Sequence, residues 1–123
     1  MLEGKILVVD DQFGIRMLLQ EVLKIEGYET QLASNGLEAL ELLTAFQPDL
    51  VFLDMKIPGM DGLEILKKMK EQTPDVKIIM MTAYSELDLI NTALSIGALG
   101  YLPKPFNIEE LINLSKKYIS ILK

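Results

Sequence analysis

The sequence predicts an α/β domain in which helices cover both faces of a parallel sheet. Apolar runs that end in polar residues alternate with amphipathic segments along all 123 residues, as is typical of repeated βα units. One such apolar run, Leu50–Leu53, leads directly into Asp54 and then into a turn at Pro58-Gly59. Such a run predicts a strand buried on both faces, and ligands bind beyond the carboxyl ends of such strands. Asp54 is therefore the candidate reactive group, with simple capping of the turn as the alternative.

Four further segments have the composition of strands, and each leads into a polar residue or a turn. The predicted strands are 5–11, 28–33, 50–54, 77–82 and 99–103. Because Pro103 cannot donate a hydrogen bond to a neighbouring strand, the last strand is expected at an edge of the sheet.

The segments between the strands have the three-to-four-residue spacing of amphipathic helices. Gly27 is expected just beyond the end of the first helix. Ser85 with Asp88 resembles a capping box that opens the fourth helix, and Asn107 with Glu110 resembles one that opens the fifth. The apolar residues that define the helices are Ile15, Leu18, Leu19, Val22, Leu23, Ala39, Leu40, Leu43, Phe46, Leu63, Leu66, Met69, Leu87, Ile90, Leu94, Leu111, Leu114, Tyr118 and Leu122.

The composition excludes several classes of protein. Half of the residues are hydrophobic and 24% are charged, which is ordinary for one globular domain. The chain has no cysteine and no histidine, which excludes thiolate chemistry, Ser-His or Cys-His catalysis and a histidine phosphodonor within it. A formal charge of -6 argues against a nucleic-acid surface. Without an apolar run of membrane-spanning length or a signal-peptide core, the protein is expected to be cytoplasmic and to have no membrane partner.

The βα units are expected to form a flavodoxin-like (βα)5 fold, a three-layer α/β/α structure with the strand order 2-1-3-4-5. This order places the ends of the first and third strands side by side. Asp10, Asp11 and Asp54 would then lie within a few ångströms of each other, which is unfavourable unless a cation lies between them. Three hard oxygen ligands suit Mg²⁺, with Mn²⁺ as the alternative ion.

Polar residues at the ends of the predicted strands form a recognisable set: Asp10, Asp11, Asp54, Thr82 and Lys104 with Pro105. This set extends over essentially the whole chain and resembles the receiver domain of two-component response regulators. The resemblance implies that Asp54 accepts a phosphoryl group from a histidine on a partner protein. It also implies Mg²⁺ ligands at Asp11, Asp54 and the backbone carbonyl of Lys56, with Asp10 acting through a water.

Phosphoryl transfer needs positioning and charge neutralisation more than covalent help. Lys104 would supply a cation to one phosphoryl oxygen, and the Thr82 hydroxyl would donate to another. Taken alone, Lys104 is consistent with a solvated lysine and Thr82 with an ordinary strand residue. The resemblance also implies a switch in which Thr82 moves toward the phosphoryl group while Tyr101 turns inward. The alternative for Tyr101 is packing as a half-buried residue of the edge strand.

Two further features concern the surroundings of the site. Lys56 and Tyr84 each stand two residues beyond a site residue, and neither can orient an attacking water as Asn or Gln would. Slow hydrolysis of the phosphorylated state is therefore expected. Pro103 stands where receivers more often have a small residue, and the Lys104-Pro105 peptide bond is expected to be cis by resemblance.

Three stretches, 9–16, 53–62 and 81–88, resemble the stand-alone receivers of sporulation phosphorelays. Such receivers take a phosphoryl group from a sensor histidine kinase and pass it to a histidine phosphotransferase, and an aspartyl-phosphate phosphatase is a further expected partner. The chain is expected to be a single receiver domain, residues 1–123, without an output domain. The expected partner-binding residues are Gln12, Phe13, Gly14, Ile15, Leu18, Lys56, Tyr84, Pro105 and Phe106. For Ile15 and Leu18 the alternative is the core, which their helical spacing supports for at least one of them.

Three other functions remain open from the sequence alone. A chemotaxis-type switch would use the same phosphorylation to regulate a target by binding, without onward transfer. A hydrolase of the haloacid dehalogenase type would need a second Asp two residues beyond Asp54, where this chain has Lys56. A nucleotide-binding protein of flavodoxin type would need a phosphate loop where this chain has Asp10 and Asp11.

Overall fold

The computed structural model describes residues 4–119, apart from the side chains of residues 84 and 85. Its 5-stranded parallel sheet has the predicted order β2-β1-β3-β4-β5. The strands are β1 Lys5–Val9, β2 Glu29–Ala33, β3 Leu50–Asp54, β4 Lys77–Thr82 and β5 Gly100–Pro103. The helices are α1 Phe13–Ile25, α2 Gly36–Ala45, α3 Gly62–Gln72, α4 Ile90–Ile96 and α5 Ile108–Ile119, and a 3₁₀ helix, Tyr84–Leu89, precedes α4. Among residues 4–119, no helix combines the length and the apolar character needed to cross a membrane.

The helices lie on both faces of the sheet, as the uninterrupted apolar strands predicted. Alternate strand residues point to opposite faces, so Leu7 and Val9 of β1 pack with α2, α3 and α4. Ile6 and Val8 of the same strand pack with α1 and α5 on the other face. Every residue of β3 is buried. The site at the end of β3 therefore rests on a fully buried strand in the centre of the sheet.

The buried face of α4 differs from the prediction. Ile90 and Ala93 are buried, but Leu87 and Leu94 are 39% and 43% exposed. Leu87 belongs to the 3₁₀ helix, whose three-residue turns do not continue the spacing of an α-helix. The α-helix itself has only 7 residues and packs beside α3 near the edge of the sheet. Two buried residues, Ile90 and Ala93, are therefore enough to cover the core there.

The prediction for α5 was correct for Leu111 and incomplete for the rest of the helix. Leu111, Ser115 and Ile119 form its buried stripe, whereas Leu114 and Tyr118 are only partly buried. The polar Ser115 is tolerated inside because its hydroxyl donates a 2.9 Å hydrogen bond to the carbonyl of Leu111. Leu122 was expected to belong to this face and lies outside the described residues.

Of the two predicted helix-capping residues, Asn107 is confirmed. The Asn107 side chain accepts a 3.2 Å hydrogen bond from the Glu110 N–H at the start of α5. The fourth α-helix begins only at Ile90, after the 3₁₀ helix. The expected box of Ser85 with Asp88 involves a side chain that lies outside the described part of the chain.

Gly62 allows α3 to begin directly against the end of β3. A Cβ atom at this position would collide with the Asp54 carbonyl and would lie 2.7 Å from the Met55 Cα. The Gly62 N–H donates a 2.8 Å hydrogen bond to the Met55 carbonyl. This close approach closes the loop that follows Asp54 and so holds the candidate reactive residue at the rim of the sheet.

Candidate functional site

The carboxyl ends of β1, β3 and β5 bring three charged side chains into contact. The Lys104 Nζ donates to the Asp10 Oδ2 at 2.9 Å and to the Asp54 Oδ1 at 3.1 Å. Asp10 is fully buried and Asp54 is 4% exposed, while the Lys104 side chain remains 21% exposed. Lys104 lies 94 positions from Asp10 and 50 from Asp54 in sequence. The three residues nevertheless form one charge cluster at the carboxyl ends of the strands, as predicted.

Asp10, Asp11 and Asp54 form a cluster that could hold a metal ion, as the sequence predicted. One carboxylate oxygen from each lies within 4.8 Å of the other two, with Asp11 exposed and the other two buried. The set offers only hard oxygen ligands and is open to solvent on the Asp11 side, which fits Mg²⁺ with several retained waters. In the described structure Lys104 provides part of the positive charge that this cluster requires.

Besides Lys104, two residues of the following segment contact Asp10. The Gln12 N–H donates to the Asp10 Oδ1 at 2.9 Å, and the Arg16 guanidinium donates to the Asp10 backbone carbonyl at 2.7 Å. Arg16 was not among the residues predicted for the site. Its position four residues beyond Gln12 would have placed it near the start of α1, but nothing in the sequence pointed to a backbone carbonyl as its partner.

Burial in the site makes Asp54 a weaker acid than usual. Burial, together with repulsion from Asp10, raises the pKa of Asp54 from 3.8 to about 6, against the opposing effects of Lys104 and of a backbone hydrogen bond from Lys56. A metal ion among the carboxylates would oppose this shift. The carboxylate is thus a weaker acid than usual, and added positive charge would favour its ionised, nucleophilic form.

Lys104 stays protonated in this setting. Burial acts to lower its pKa, but the hydrogen bond to Asp10 and the charges of Asp54 and Asp10 outweigh that effect, so the pKa of Lys104 is raised above its usual value. Lys104 is therefore a permanent cation whose ammonium group can be shared between a carboxylate and an incoming anion.

Thr82 is the last residue of β4, the strand that pairs with β3. The residue is fully buried, and its Oγ1 has no hydrogen-bond partner among the described residues. Its backbone carbonyl accepts a 2.6 Å hydrogen bond from the Lys104 N–H. A buried hydroxyl without a partner is costly, so this hydroxyl is available to donate a hydrogen bond.

Of two further predicted residues, Lys56 is largely exposed and Tyr101 is a half-buried residue of the edge strand β5. The Lys56 side chain is 73% exposed, and its Nζ lies 3.9 Å from the Glu86 Oε2. Tyr101 is 44% exposed and lines, with Leu87 and Pro103, a groove of about 310 Å³ beside Lys104. Tyr101 therefore points outward, and metal binding by the Lys56 carbonyl stays a prediction.

Five of the nine predicted partner-binding residues lie together on a surface beside the charge cluster. A groove of about 490 Å³ is lined by Gln12, Ile15, Leu18, Lys104, Pro105 and Phe106. Leu18 is 43% exposed, so it is not a core residue, whereas Ile15 is partly buried against the core. Phe13 and Gly14 are exposed at the rim, and the Lys104-Pro105 bond is cis, as the resemblance implied. The Tyr84 side chain lies outside the described residues.

Residues 6–116 match the model of the response regulator receiver domain, and the chain belongs to this family. Receiver domains bind Mg²⁺ at an acidic cluster of the kind that Asp10, Asp11 and Asp54 form here.

Curated proteins with similar sequences include both short and long relatives. The chain is 54% identical over 121 residues to the sporulation initiation phosphotransferase F of Bacillus subtilis (strain 168), and the match covers 98% of each chain. It is 42% identical over 120 residues to the DNA-binding transcriptional regulator NtrC of Escherichia coli (strain K12), but this match covers only 26% of NtrC.

Solved structures have the same fold. NtrX from Brucella abortus superposes with a TM-score of 0.92 at 33% identity, over 98% of this chain and 27% of that one. A receiver domain protein (CheY-like) from Methanospirillum hungatei JF-1 superposes with a TM-score of 0.90 at 33% identity, over 96% and 94% of the two chains.

Proposed function

We propose that this chain is a stand-alone response regulator receiver that carries a phosphoryl group on Asp54 between two partner histidines in a sporulation-type phosphorelay. The observation that carries the proposal is the arrangement around Asp54: a buried carboxylate beside Asp10, paired with Lys104, at the edge of the sheet where Thr82 leaves a buried hydroxyl without a partner. The similarity to sporulation initiation phosphotransferase F over 98% of both chains supports the relay role.

In the proposed reaction, an ionised Asp54 oxygen attacks the phosphorus of a phosphohistidine on a kinase. The new bond joins the Asp54 Oδ to phosphorus, and the bond from phosphorus to the imidazole nitrogen breaks, which leaves the electron pair on the imidazole. Lys104 moves part of its hydrogen bonding to a phosphoryl oxygen, and the Thr82 hydroxyl donates to another. Transfer to a second histidine reverses these steps.

Mg²⁺ would be held by Asp11, Asp54 and the backbone carbonyl of Lys56, with Asp10 acting through a water, and Mn²⁺ would fit the same oxygen ligands. When bound, the ion supplies positive charge that offsets the carboxylates and the phosphoryl oxygens. Asp10 remains paired with Lys104 and so keeps the lysine close to the reacting oxygen.

The partners would dock on the groove beside Lys104 and on its rim. This surface combines the exposed apolar side chain of Leu18 with Ile15, Pro105 and Phe106, and apolar residues at the centre of such a patch are the usual anchors of binding. A sensor histidine kinase and a histidine phosphotransferase would use the same surface in turn, because both must present a histidine to Asp54. An aspartyl-phosphate phosphatase is proposed as a third partner, with Phe13, Gly14, Lys56 and Tyr84 at the margin of the contact.

The proposed switch links Thr82 to Tyr101. Thr82 would move toward the phosphoryl group, and Tyr101, which points outward from β5, would turn into the space that this movement opens. A stable phosphoryl mimic, beryllium trifluoride with Mg²⁺, should therefore shift the Tyr101 ring resonances and reduce their solvent exposure in NMR experiments. An unchanged Tyr101 rotamer distribution in a protein that binds the mimic would refute this coupling.

The phosphorylated state is proposed to be long-lived. Neither Lys56 nor Tyr84 can orient an attacking water as an amide side chain would, which suits a protein that must keep its phosphoryl group until it meets an acceptor. A lifetime of only seconds in the absence of partners would contradict this part of the proposal.

The relay is tested with three components. A histidine kinase domain carrying a labelled phosphoryl group is mixed with this chain and Mg²⁺, and a histidine phosphotransferase is added after the label has moved. The proposal predicts that the label passes to the chain and then to the phosphotransferase. Label that reaches the chain but never leaves it would favour a chemotaxis-type binding switch instead.

A further inference from the structure

Glu86 is a buried carboxylate that holds the backbone next to Thr82. Its side chain is only 6% exposed, and its Oε1 accepts a 2.9 Å hydrogen bond from the Ala83 N–H. The Glu86 N–H in turn donates to the Ala83 carbonyl at 3.0 Å. Both backbone polar groups of Ala83 are thus bound by one residue, directly after the residue whose hydroxyl lacks a partner.

The second oxygen of Glu86 faces the loop that follows β3. The Lys56 Nζ lies 3.9 Å from the Glu86 Oε2, and among residues 4–119 it is the ammonium group that pairs with this carboxylate. A carboxylate out of water needs a compensating charge or further hydrogen bonds. Glu86 has one backbone hydrogen bond and Lys56, so Lys56 contributes to keeping Glu86 in its buried position.

We propose that Glu86 is a latch that holds the Ala83 backbone in the unphosphorylated conformation, and that a phosphoryl group on Asp54 opens the latch by attracting Lys56. The inference rests on the proposed function, because it requires phosphorylation of Asp54. Lys56 is two residues beyond Asp54 and is 73% exposed, so its ammonium can reorient freely. A phosphoryl group carries close to two negative charges at neutral pH and competes with a single carboxylate for this ammonium.

The loss of Lys56 would leave Glu86 buried without its countercharge. An uncompensated buried charge is strongly unfavourable, so the carboxylate turns toward water and releases the Ala83 N–H. The Thr82 hydroxyl can then move without breaking a hydrogen bond, since its Oγ1 has no partner among the described residues. The resistance to switching therefore lies in the Glu86 contacts and not in Thr82 itself.

A simpler role for Glu86 is to cap the 3₁₀ helix, and this role would not involve Lys56. The two roles differ in what removal of Lys56 does to Ala83. A cap keeps its hydrogen bond whatever Lys56 does. A latch weakens when Lys56 is lost, provided that residue 86 carries a charge.

The experiment follows the Ala83 amide by NMR in the full chain without metal or phosphoryl mimic. Lys56→Met should move this resonance toward its position in the mimic-bound wild type, and should move it little in the Glu86→Gln background, where a neutral side chain can still accept the hydrogen bond. Glu86→Ala should tighten the binding of beryllium trifluoride with Mg²⁺ by roughly three- to tenfold, because part of the cost of switching has been removed.

Asp88→Asn is the matched control, because Asp88 is an exposed carboxylate of the same 3₁₀ helix. It removes the same charge as Glu86→Gln and should leave the Ala83 resonance unshifted. An Ala83 amide that does not respond to Lys56→Met overturns the latch, as does an unchanged affinity for the mimic in Glu86→Ala. Failure of the wild type to accept a phosphoryl group would instead refute the proposed function, while the response of Ala83 to Lys56→Met would still report on the ion pair.

Discussion

Asp54 shows how the surroundings of one carboxylate prepare it for phosphoryl transfer. Lys104 and Asp10 act on it in opposite directions, and burial adds to the effect of Asp10. Without metal, the raised pKa means that the ionised carboxylate destabilises the fold at neutral pH, and a cation among the carboxylates would offset this effect. Metal binding at this cluster is therefore expected to affect both the ionisation of Asp54 and the stability of the fold.

The sign of the Asp54 pKa shift predicts a pH dependence of stability. Its pKa is raised from 3.8 to about 6 on folding, so the folded state binds a proton more tightly than the unfolded state does. Without metal, the free energy of unfolding should therefore fall as the pH rises from about 4 to above 6. Above that pH, Asp54 is ionised in the folded state and the destabilisation by its buried charge is complete. Asp54→Asn should remove the buried charge and so stabilise the metal-free protein at pH 7.5 by about 1–3 kcal/mol, measured by urea unfolding.

The control for this prediction is the same pair of proteins at about pH 4, near the unfolded pKa. There the two should differ much less, because Asp54 is then largely neutral in the folded wild type. If the free energy of unfolding depended on pH in the same way in the wild type and in Asp54→Asn, the ionisation of Asp54 would not destabilise the fold.

The residues at strand ends could be predicted from the sequence because an apolar run that stops at a polar residue marks both the strand and its end. Asp54 and Thr82 were found in this way. Arg16 and Glu86 were not, because each bonds a backbone group, the carbonyl of Asp10 and the N–H of Ala83 respectively. Contacts of this kind depend on loop conformation, which side-chain periodicity does not report.

At the scale of the elements, the strands were better predicted than the helix faces. Strands covered on both faces have long apolar runs, so β3 and β4 were located at their observed ends. Helix faces depend on which neighbours cover them. In α4 the 3₁₀ turn and the nearby sheet edge leave Leu94 exposed, and in α5 the buried stripe includes Ser115, which a search for apolar spacing passes over.

Helix α1 offers a direct test of docking against packing, because two adjacent leucines have different surroundings. Leu18 is 43% exposed on the groove beside Lys104, and Leu19 is fully buried. Leu18→Ala should change the free energy of unfolding by less than about 1 kcal/mol and slow phosphotransfer from a kinase by roughly tenfold or more, as expected for an interface anchor.

Leu19→Ala is the matched control in the same helix. It should destabilise the fold by about 2–5 kcal/mol, and the fraction that remains folded should keep most of its phosphotransfer rate. A Leu18→Ala variant that transfers at the wild-type rate would mean that partners do not dock on this groove.

At the scale of the whole molecule, the strand order determines the chemistry. The order 2-1-3-4-5 places β1 beside β3, and so brings the carboxylates of two distant segments together. The formal charge of the chain is -6, which makes this concentration of negative charge unfavourable in the folded state. Lys104, from the end of β5, relieves it only in part.

Mg²⁺ should therefore stabilise the folded protein. A concentration one hundred times the dissociation constant is expected to add about 2.7 kcal/mol to the free energy of unfolding. Asp11→Asn should remove most of this gain with little effect on the metal-free protein, because Asp11 is exposed. Asp75→Asn, at an exposed carboxylate before β4, should leave the gain intact, and an equal loss in both variants would show that the effect is not specific to the site.

The most direct test of the central claim is the intact mass of the chain after incubation with Mg²⁺ and a small-molecule phosphodonor. The wild type should gain one phosphoryl group, and Asp54→Asn and a sample without Mg²⁺ should gain none. Peptide mapping should place the modification on Asp54. A wild type that stays unmodified with Mg²⁺ bound and the fold intact, or an Asp54→Asn variant modified to the same extent, would contradict the assignment of Asp54 as the phosphoacceptor.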